Sequence, residues 1–564
     1  MSRRYDAADM KCVFAPAIFA LLVPALAVAQ RGASPLDDIR TVPEKTDYRD
    51  TSKYADVMAF LEALDKASGR VHLTTMGTTS EQRAIPLAVI GAPGASPQAV
   101  AGTGKLRVYI QGNIHGGEVE GKESAQMLLR DLAAGRHDDW LQSMVFLIAP
   151  IYNADGNERF ALNNRGPQYG PMGGQGQRPN AQGLDLNRDH MKLDSPEARA
   201  VAKLMTDYNP HVALDLHTTN GTRHAYHLTY SPPLHPGTDP GIVDLLRKQW
   251  FPSVTRRVRD KYGWEYSYYG NVGGGPGPST GPRAGGRRGD GGAAGQAAVA
   301  STAAPAAAQR RWETFDHRPR FNNNYLGLRN RFALLSEAFA YLNFQDRILV
   351  TNRFIEESLT FAKTNADRIR RATEAADRAR LVGERLPLRA ELQNTGTVEV
   401  LMGDVTEEKH PVDGHIMNLR KDVKTPETML DYLTFKGIEP ERVPSAYFVP
   451  AGLAQALDRL ESHGVVMTPL KSAARMAVEE FRIDSSTAAP TAFQNHNERT
   501  LTGAWVPAER ELPAGTLRVE LTQPLGRLAF YLIEPRADDG LVDWNLLDEA
   551  LKDAKVYPIV RTRN

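Results

Sequence analysis

No stretch constrains the fold more than 106–123, LRVYIQGNIHGGEVEGKE. Leu106, Val108 and Ile110 carry the apolar pattern of a buried strand, Gly112, Gly116 and Gly117 interrupt it, and from Val119 to Leu132 the spacing becomes helical. A strand that passes through a glycine turn into a helix puts His115 and Glu118 at the junction, and in a doubly wound sheet ligands bind at that edge. A His and a Glu three positions apart across such a turn can aim a ring nitrogen and a carboxylate at one point, as a metal ion requires. Of the 14 histidines, only His115 has a Glu three residues on. The pair alone also fits a plainer reading, a turn His beside a helix-start Glu favoured by the helix dipole.

The alternation continues along the chain. A helical pattern (Tyr54, Val57, Met58, Leu61, Leu64) precedes a hairpin over 71–90, and a second apolar run, 144–151, leads to Asn153, Asp155 and Gly156. Ser195 and Pro196 open a helix that Asn209 and Pro210 stop. A third strand, 211–216, ends at His217, and a fourth, 332–335, ends at Ser336 and Glu337. Strands alternating with helices predict an α/β fold with a mostly parallel, twisted sheet flanked by helices. An amphipathic pattern over 346–381 predicts one long helix, and beyond 386 short alternating runs (397–401, 517–521, 528–533) with a helix near 451–460 predict a C-terminal β-rich or mixed domain. The Gly-, Ala- and Pro-rich segment 273–309 lacks the apolar side chains to offset its ordering entropy and reads as a disordered insertion.

At 564 residues the chain exceeds one ordinary domain, and the expected division is a signal peptide over 1–29, a catalytic unit over 30–385 and an accessory domain over 386–564. The signal segment has basic residues (Arg3, Arg4, Lys11), an apolar stretch and the triplet Ala27, Val28, Ala29, and it is too short and Pro-interrupted for a comfortable membrane span. Export to the periplasm or medium, without stable membrane insertion after cleavage, follows. The 68 basic and 67 acidic residues balance, so no nucleic-acid partner is indicated. Cys12, the only cysteine, lies within the segment to be removed. Disulfide and thiol chemistry are thereby excluded from the mature chain.

Strand ends of a parallel sheet converge on one face, so His115 with Glu118, His217, and Glu337 can meet in one cleft. Glu337, placed behind a buried run, is expected to be partly desolvated, which raises a carboxyl pKa and suits proton transfer. His410 and His415, with Asp413, lack a strand-end setting and read as surface residues.

Taken in order, His115-x-x-Glu118, Asn153-x-Asp155-Gly156, Asp185-Leu186-Asn187-Arg188, His217 after one strand and Glu337 after another resemble the zinc carboxypeptidase (M14) family over about residues 54–361. The resemblance implies one zinc ion held by His115, Glu118 and His217, a site type with one open position, and Glu337 as the general acid–base. It implies that Asn187 and Arg188 bind the terminal carboxylate of a peptide substrate, that Arg165 stabilises the oxyanion, and that Asp185 orients a ligand His. The family's substrate-capping Tyr falls among Tyr266, Tyr268, Tyr269 and Tyr325. An amidase or deacylase acting on cell-wall peptides would use the same chemistry, and a non-catalytic binding protein would keep the fold alone.

Overall fold

The computed structural model describes residues 35–219, 221–273 and 309–563. The expected signal peptide, 1–29, lies outside the described residues, as does nearly all of the expected insertion. Ten strands precede the C-terminal region: β1 (Val71–Thr78), β2 (Ala84–Ile90), β3 (Leu106–Gly112), β4 (Met144–Ala149), β5 (Val212–Thr218), β6 (Leu228–Ser231), β7 (Tyr266–Tyr268), β8 (Asn271–Gly273), β9 (Arg311–Glu313) and β10 (Phe332–Ala338). Eight of them form one sheet in the order β1-β2-β4-β3-β5-β10-β6-β7. Its centre, β4-β3-β5-β10, is parallel; β2 and β6 join it antiparallel.

Both faces of this sheet are covered, which is why its central strands read as continuous apolar runs. Val108, Ile110, Phe146, Ile148, Leu214 and Leu216 point into a core under the helices, while Tyr109, Leu147, Ala149 and Ala213 point the other way. That second core also takes in Tyr447, Phe481, Phe530 and Trp544 of the C-terminal region. The region beyond 386 therefore packs against one face of the central sheet rather than hanging from a linker.

The C-terminal region holds several small sheets, the largest built around the long hairpin Ala474–Ala488 and Arg499–Leu512. One of its strands, Thr425–Tyr432, pairs with β9, which in turn pairs with β8. Two expectations are corrected. The pattern over 346–381 is two helices, Phe344–Thr364 and Ala366–Asp377, broken at Asn365. The run 528–533 is not a strand but part of the helix Gly526–Ile533, every residue of which is buried. An apolar segment covered all round shows no period by which strand and helix can be told apart.

Candidate active site

The turn between β3 and the helix Glu120–Ala133 is fixed by its own sequence. Asn113 adopts a left-handed φ of 66° and its side-chain amide donates to the carbonyls of His115, Gly116 and Glu118 at 3.1–3.2 Å. Glycine is required beyond it: a Cβ at Gly116 would lie 2.3 Å from the Gly156 carbonyl carbon, and one at Gly117 2.5 Å from the Gly176 oxygen and 2.8 Å from Arg165 Cδ. The Asn153-x-Asp155-Gly156 motif supports this turn. Asn153 donates to the carbonyls of Ile114 and Arg178, and Asp155 accepts from Thr79 and from the Glu81 amide.

Register does the rest. In the β5–β10 pairing Glu337 lies directly beside His217, and in the β3–β5 pairing Gly112 lies beside Leu216. His217 and Glu337 are thus the penultimate residues of their strands, one step inside the ends expected from the sequence. The Glu118 carboxylate sits between the two imidazoles, 2.8 Å from His115 Nδ1 and 3.0 Å from His217 Nδ1. All three residues are buried, and their ligand atoms fall within 4.8 Å of one another.

The outer nitrogens face acids as well: His115 Nε2 is 3.2 Å from Asp185 Oδ1 and His217 Nε2 is 3.0 Å from Asp215 Oδ2. An imidazole that gives one N–H to a carboxylate keeps the lone pair of the other nitrogen for a metal. Two nitrogens and a carboxylate, with carboxylates behind both rings and no thiolate, suit a zinc ion. His115, Glu118 and His217 are the residues that could hold it.

Charges in the cluster are strongly displaced from their ordinary values. Burial would raise the Glu118 pKa, but His115 and Arg165 outweigh it and hold it well below the usual range. Burial lowers that of His217, and Asp215 followed by Glu118 more than reverses this. For Glu337 burial wins: its carboxyl is pushed up to about 8, with Glu118 adding to the rise against His217, Arg165 and Arg178. Among the described residues none donates a hydrogen bond to the Glu337 carboxylate. A half-buried, unpartnered carboxyl beside a ligand His is equipped to take and return a proton.

Arg165 Nη2 reaches Glu118 Oε1 at 2.9 Å. Arg178, which the sequence did not single out, stands 2.9 Å from Asp185 and 3.8 Å from Glu118. Arg188 stacks on Phe321, its guanidinium carbon 3.8 Å from the ring centre, with only a 3.9 Å approach to Asp185 as an ion pair. Asn187 Oδ1 accepts the Asn322 amide at 2.8 Å, and Asn322 Nδ2 donates to Asp215 at 2.9 Å. The Asn187-Arg188 pair and the ligand His217 therefore share one buried support.

Of the four competing tyrosines, Tyr266, Tyr268 and Tyr325 spend their hydroxyls on Val350 O, Arg247 O and His463. Tyr269 accepts from Asn271, and its phenol is raised by burial and then by the charge of Glu337. One further contact comes from far along the chain: Gln494, in the loop of the C-terminal hairpin, accepts the Asp185 amide at 2.9 Å.

Two of these residues carry a signal in the sequence. Asp215 interrupts the apolar run of β5 two positions before His217, hence on the same face of the strand. Arg178 lies within the Gly- and Gln-rich stretch 166–182, seven residues before Asp185.

A family model described as zinc carboxypeptidase matches residues 57–271, a span that contains His115, Glu118, His217 and Tyr269 and stops short of Glu337. Carboxypeptidase 2 of Trichophyton rubrum is 23% identical over 527 residues, covering 89% of this chain and 85% of its own length. The probable carboxypeptidase 2 of Arthroderma benhamiae is 35% identical over 143 residues, 25% of this chain and 24% of the relative. A metallo-carboxypeptidase crystal structure from Burkholderia cenocepacia aligns at 16% identity over 56% of this chain and 70% of its own, with a TM-score of 0.38. Over residues 57–271 the chain is therefore similar to the zinc carboxypeptidase (M14) family of metallopeptidases, and the relatives it matches are named carboxypeptidases. Among the described residues, no helix is long and apolar enough to cross a membrane.

Proposed function

We propose that this chain is an exported metallocarboxypeptidase that hydrolyses the peptide bond next to a free C-terminal carboxylate. The reading rests above all on the convergence of both imidazoles on Glu118, with Glu337 in register beside His217. His115, Glu118 and His217 would hold a zinc ion, which would supply Lewis acidity toward water and the scissile carbonyl. Glu337 takes the proton of the attacking water and hands it to the departing amine. Arg165, with Arg178 at its side, offers guanidinium N–H groups to the oxyanion. Arg188, backed by Phe321 and lacking a close anion, receives the substrate carboxylate with Asn187, and the Tyr269 hydroxyl covers the bound end. Asp185 and Asp215 hold the two rings in the ligating tautomer.

Residues 30–385 carry this chemistry, and 386–564 act as an accessory region that closes one side of the site through Gln494. The basic and apolar start of the chain, with Ala27, Val28 and Ala29, supports export through a cleaved signal peptide. The test compares a free peptide with its C-terminal amide, before and after chelation. Zinc-dependent release from the free peptide alone is expected. Equal release from the amide would remove Arg188 from its role and turn the reading toward an amidase.

A further inference from the structure

A second convergence of imidazoles lies well away in sequence, in the hairpin Val405–Lys409 and Ile416–Arg420. Along the sequence its histidines have no strand end behind them. In the fold they are the two residues that flank the turn: the His410 amide donates to the His415 carbonyl at 2.8 Å, continuing the ladder by one rung. Their rings stack nearly parallel, with centroids 4.7 Å apart at an angle of 11°. Both Nδ1 atoms face the same carboxylate oxygen, Asp413 Oδ1, at 3.3 Å from His410 and 2.5 Å from His415.

The orientation of His410 is set from behind. Its Nε2 lies 3.1 Å from the Met172 carbonyl, an acceptor, so Nε2 carries the proton and Nδ1 presents a lone pair. That is the arrangement by which a ligating histidine is normally fixed. The protein donor to this lone pair is the Val412 amide at a long 3.3 Å. His410 is only 3% exposed, whereas the Asp413 side chain is 37% exposed, which leaves a route in from solvent.

We propose that His410, Asp413 and His415 form a second metal site, for zinc or another divalent transition ion that prefers nitrogen donors. Bond lengths of about 2.0–2.2 Å and tetrahedral angles place neighbouring donors about 3.3 Å apart. The His410–Asp413 pair has that separation already, and His415, half-buried at the turn, must rotate out of its stack on His410 so that both ring planes reach the ion. Two imidazoles and one carboxylate without sulfur favour zinc, nickel or copper over magnesium or calcium.

The site has a mechanical setting. This hairpin rests on the loop that carries Arg165: the Asn418 amide donates to the Pro167 carbonyl at 2.8 Å, Tyr169 donates to Glu408 at 2.8 Å, and His410 meets Met172. An ion at the turn stiffens the hairpin against that loop, and it shares no residue with the group at His115, Glu118 and His217.

The test counts metal in the full-length protein equilibrated with zinc and freed of excess by gel filtration. Two zinc ions per chain are expected in the unaltered protein. The double variant Asp413→Ala, His415→Ala should retain one and keep its peptidase activity, and Glu118→Ala should also retain one while losing activity. Asp413→Asn, which keeps a turn acceptor but weakens the ligand, is to show at least tenfold weaker uptake of one of the two ions. One ion in the unaltered protein, lost in Glu118→Ala and kept in the double variant, would overturn the proposal. So would two ions surviving in both hairpin variants. Loss of the ion in Glu118→Ala alone tests the catalytic site, so failure of either site is read separately.

Discussion

Replacing Asp215 by Asn removes one charge and turns one acceptor into a donor at a position where every neighbour donates. Oδ1 accepts Gln111 Nε2 at 3.3 Å, while Oδ2 accepts Asn322 Nδ2 at 2.9 Å and lies 3.0 Å from His217 Nε2. An Asn can keep its oxygen on the side of His217 and Asn322, but its amide then meets the Gln111 amide donor to donor. Rotating Gln111 does not relieve this, because Gln111 Oε1 already accepts the buried Tyr109 hydroxyl at 2.8 Å. One buried polar group is left without a partner in either arrangement, at a cost of about 1–3 kcal/mol in stability. The His217 ring also loses the carboxylate that favours its ligating tautomer, and partners of this kind are worth about 10–100-fold in metal affinity. Zinc affinity measured by competition with a chromogenic chelator should therefore fall by about 10–100-fold, or about 1.4–2.8 kcal/mol. Thermal unfolding of the zinc-free protein should show a separate loss. Affinity within about threefold of the unaltered protein would mean that Asp215 does not govern His217, and the reasoning would fail.

Three other outcomes follow from the geometry. Glu337→Gln should lower kcat by about 10²–10⁴ or more while elemental analysis still finds zinc, since the residue moves a proton and does not ligate. Gln494→Ala removes one neutral hydrogen bond to the Asp185 amide, so kcat/KM should drop only by about fivefold, equivalent to about 1 kcal/mol; a loss beyond a hundredfold would give the loop a different role. His463 accepts from or donates to Tyr325 at 2.9 Å, sits 3.0 Å from the Met191 carbonyl, and is held by burial at a pKa of about 3. The folded chain there binds fewer protons than the unfolded one, so its stability is complete above about pH 6.5 and is lost as pH falls toward 3. Denaturant unfolding of His463→Gln across that range should show a shallower acid slope, and an unchanged slope would count against the assignment.

How much of this was legible in the chain depends on distance along it. Strand-end candidates could be found because each announces itself locally, through an apolar run and the residue that ends it, and a parallel sheet brings such ends together by rule. The sheet centre and the grouping of His115, Glu118 and His217 therefore followed from short windows. Arg178 and Tyr269 did not, because a glycine-rich loop has no period and four tyrosines within reach of one site look alike until their hydroxyls are assigned. Gln494 was beyond reach for a different reason: its contact with Asp185 spans most of the chain, and only the packing of the C-terminal hairpin brings it there. In the hairpin, Asp413 is exposed as its surroundings in the sequence suggest, while the burial of His410 was not legible because strands such as Val405–Lys409, with mostly exposed side chains, carry no apolar signal.

The pairing of β8 with β9 has a practical corollary. Gly273 and Arg311 face one another as the last rung of an antiparallel ladder, and β9 is clasped on its other edge by Thr425–Tyr432. The two ends of the connection between those positions thus stand side by side as a single doorway, and doubling the length of a chain that closes it costs only about 0.6 kcal/mol of closure entropy. Cargo could be spliced in at that doorway, or the backbone severed there, and the two pieces would stay stitched together by the sheet on either side.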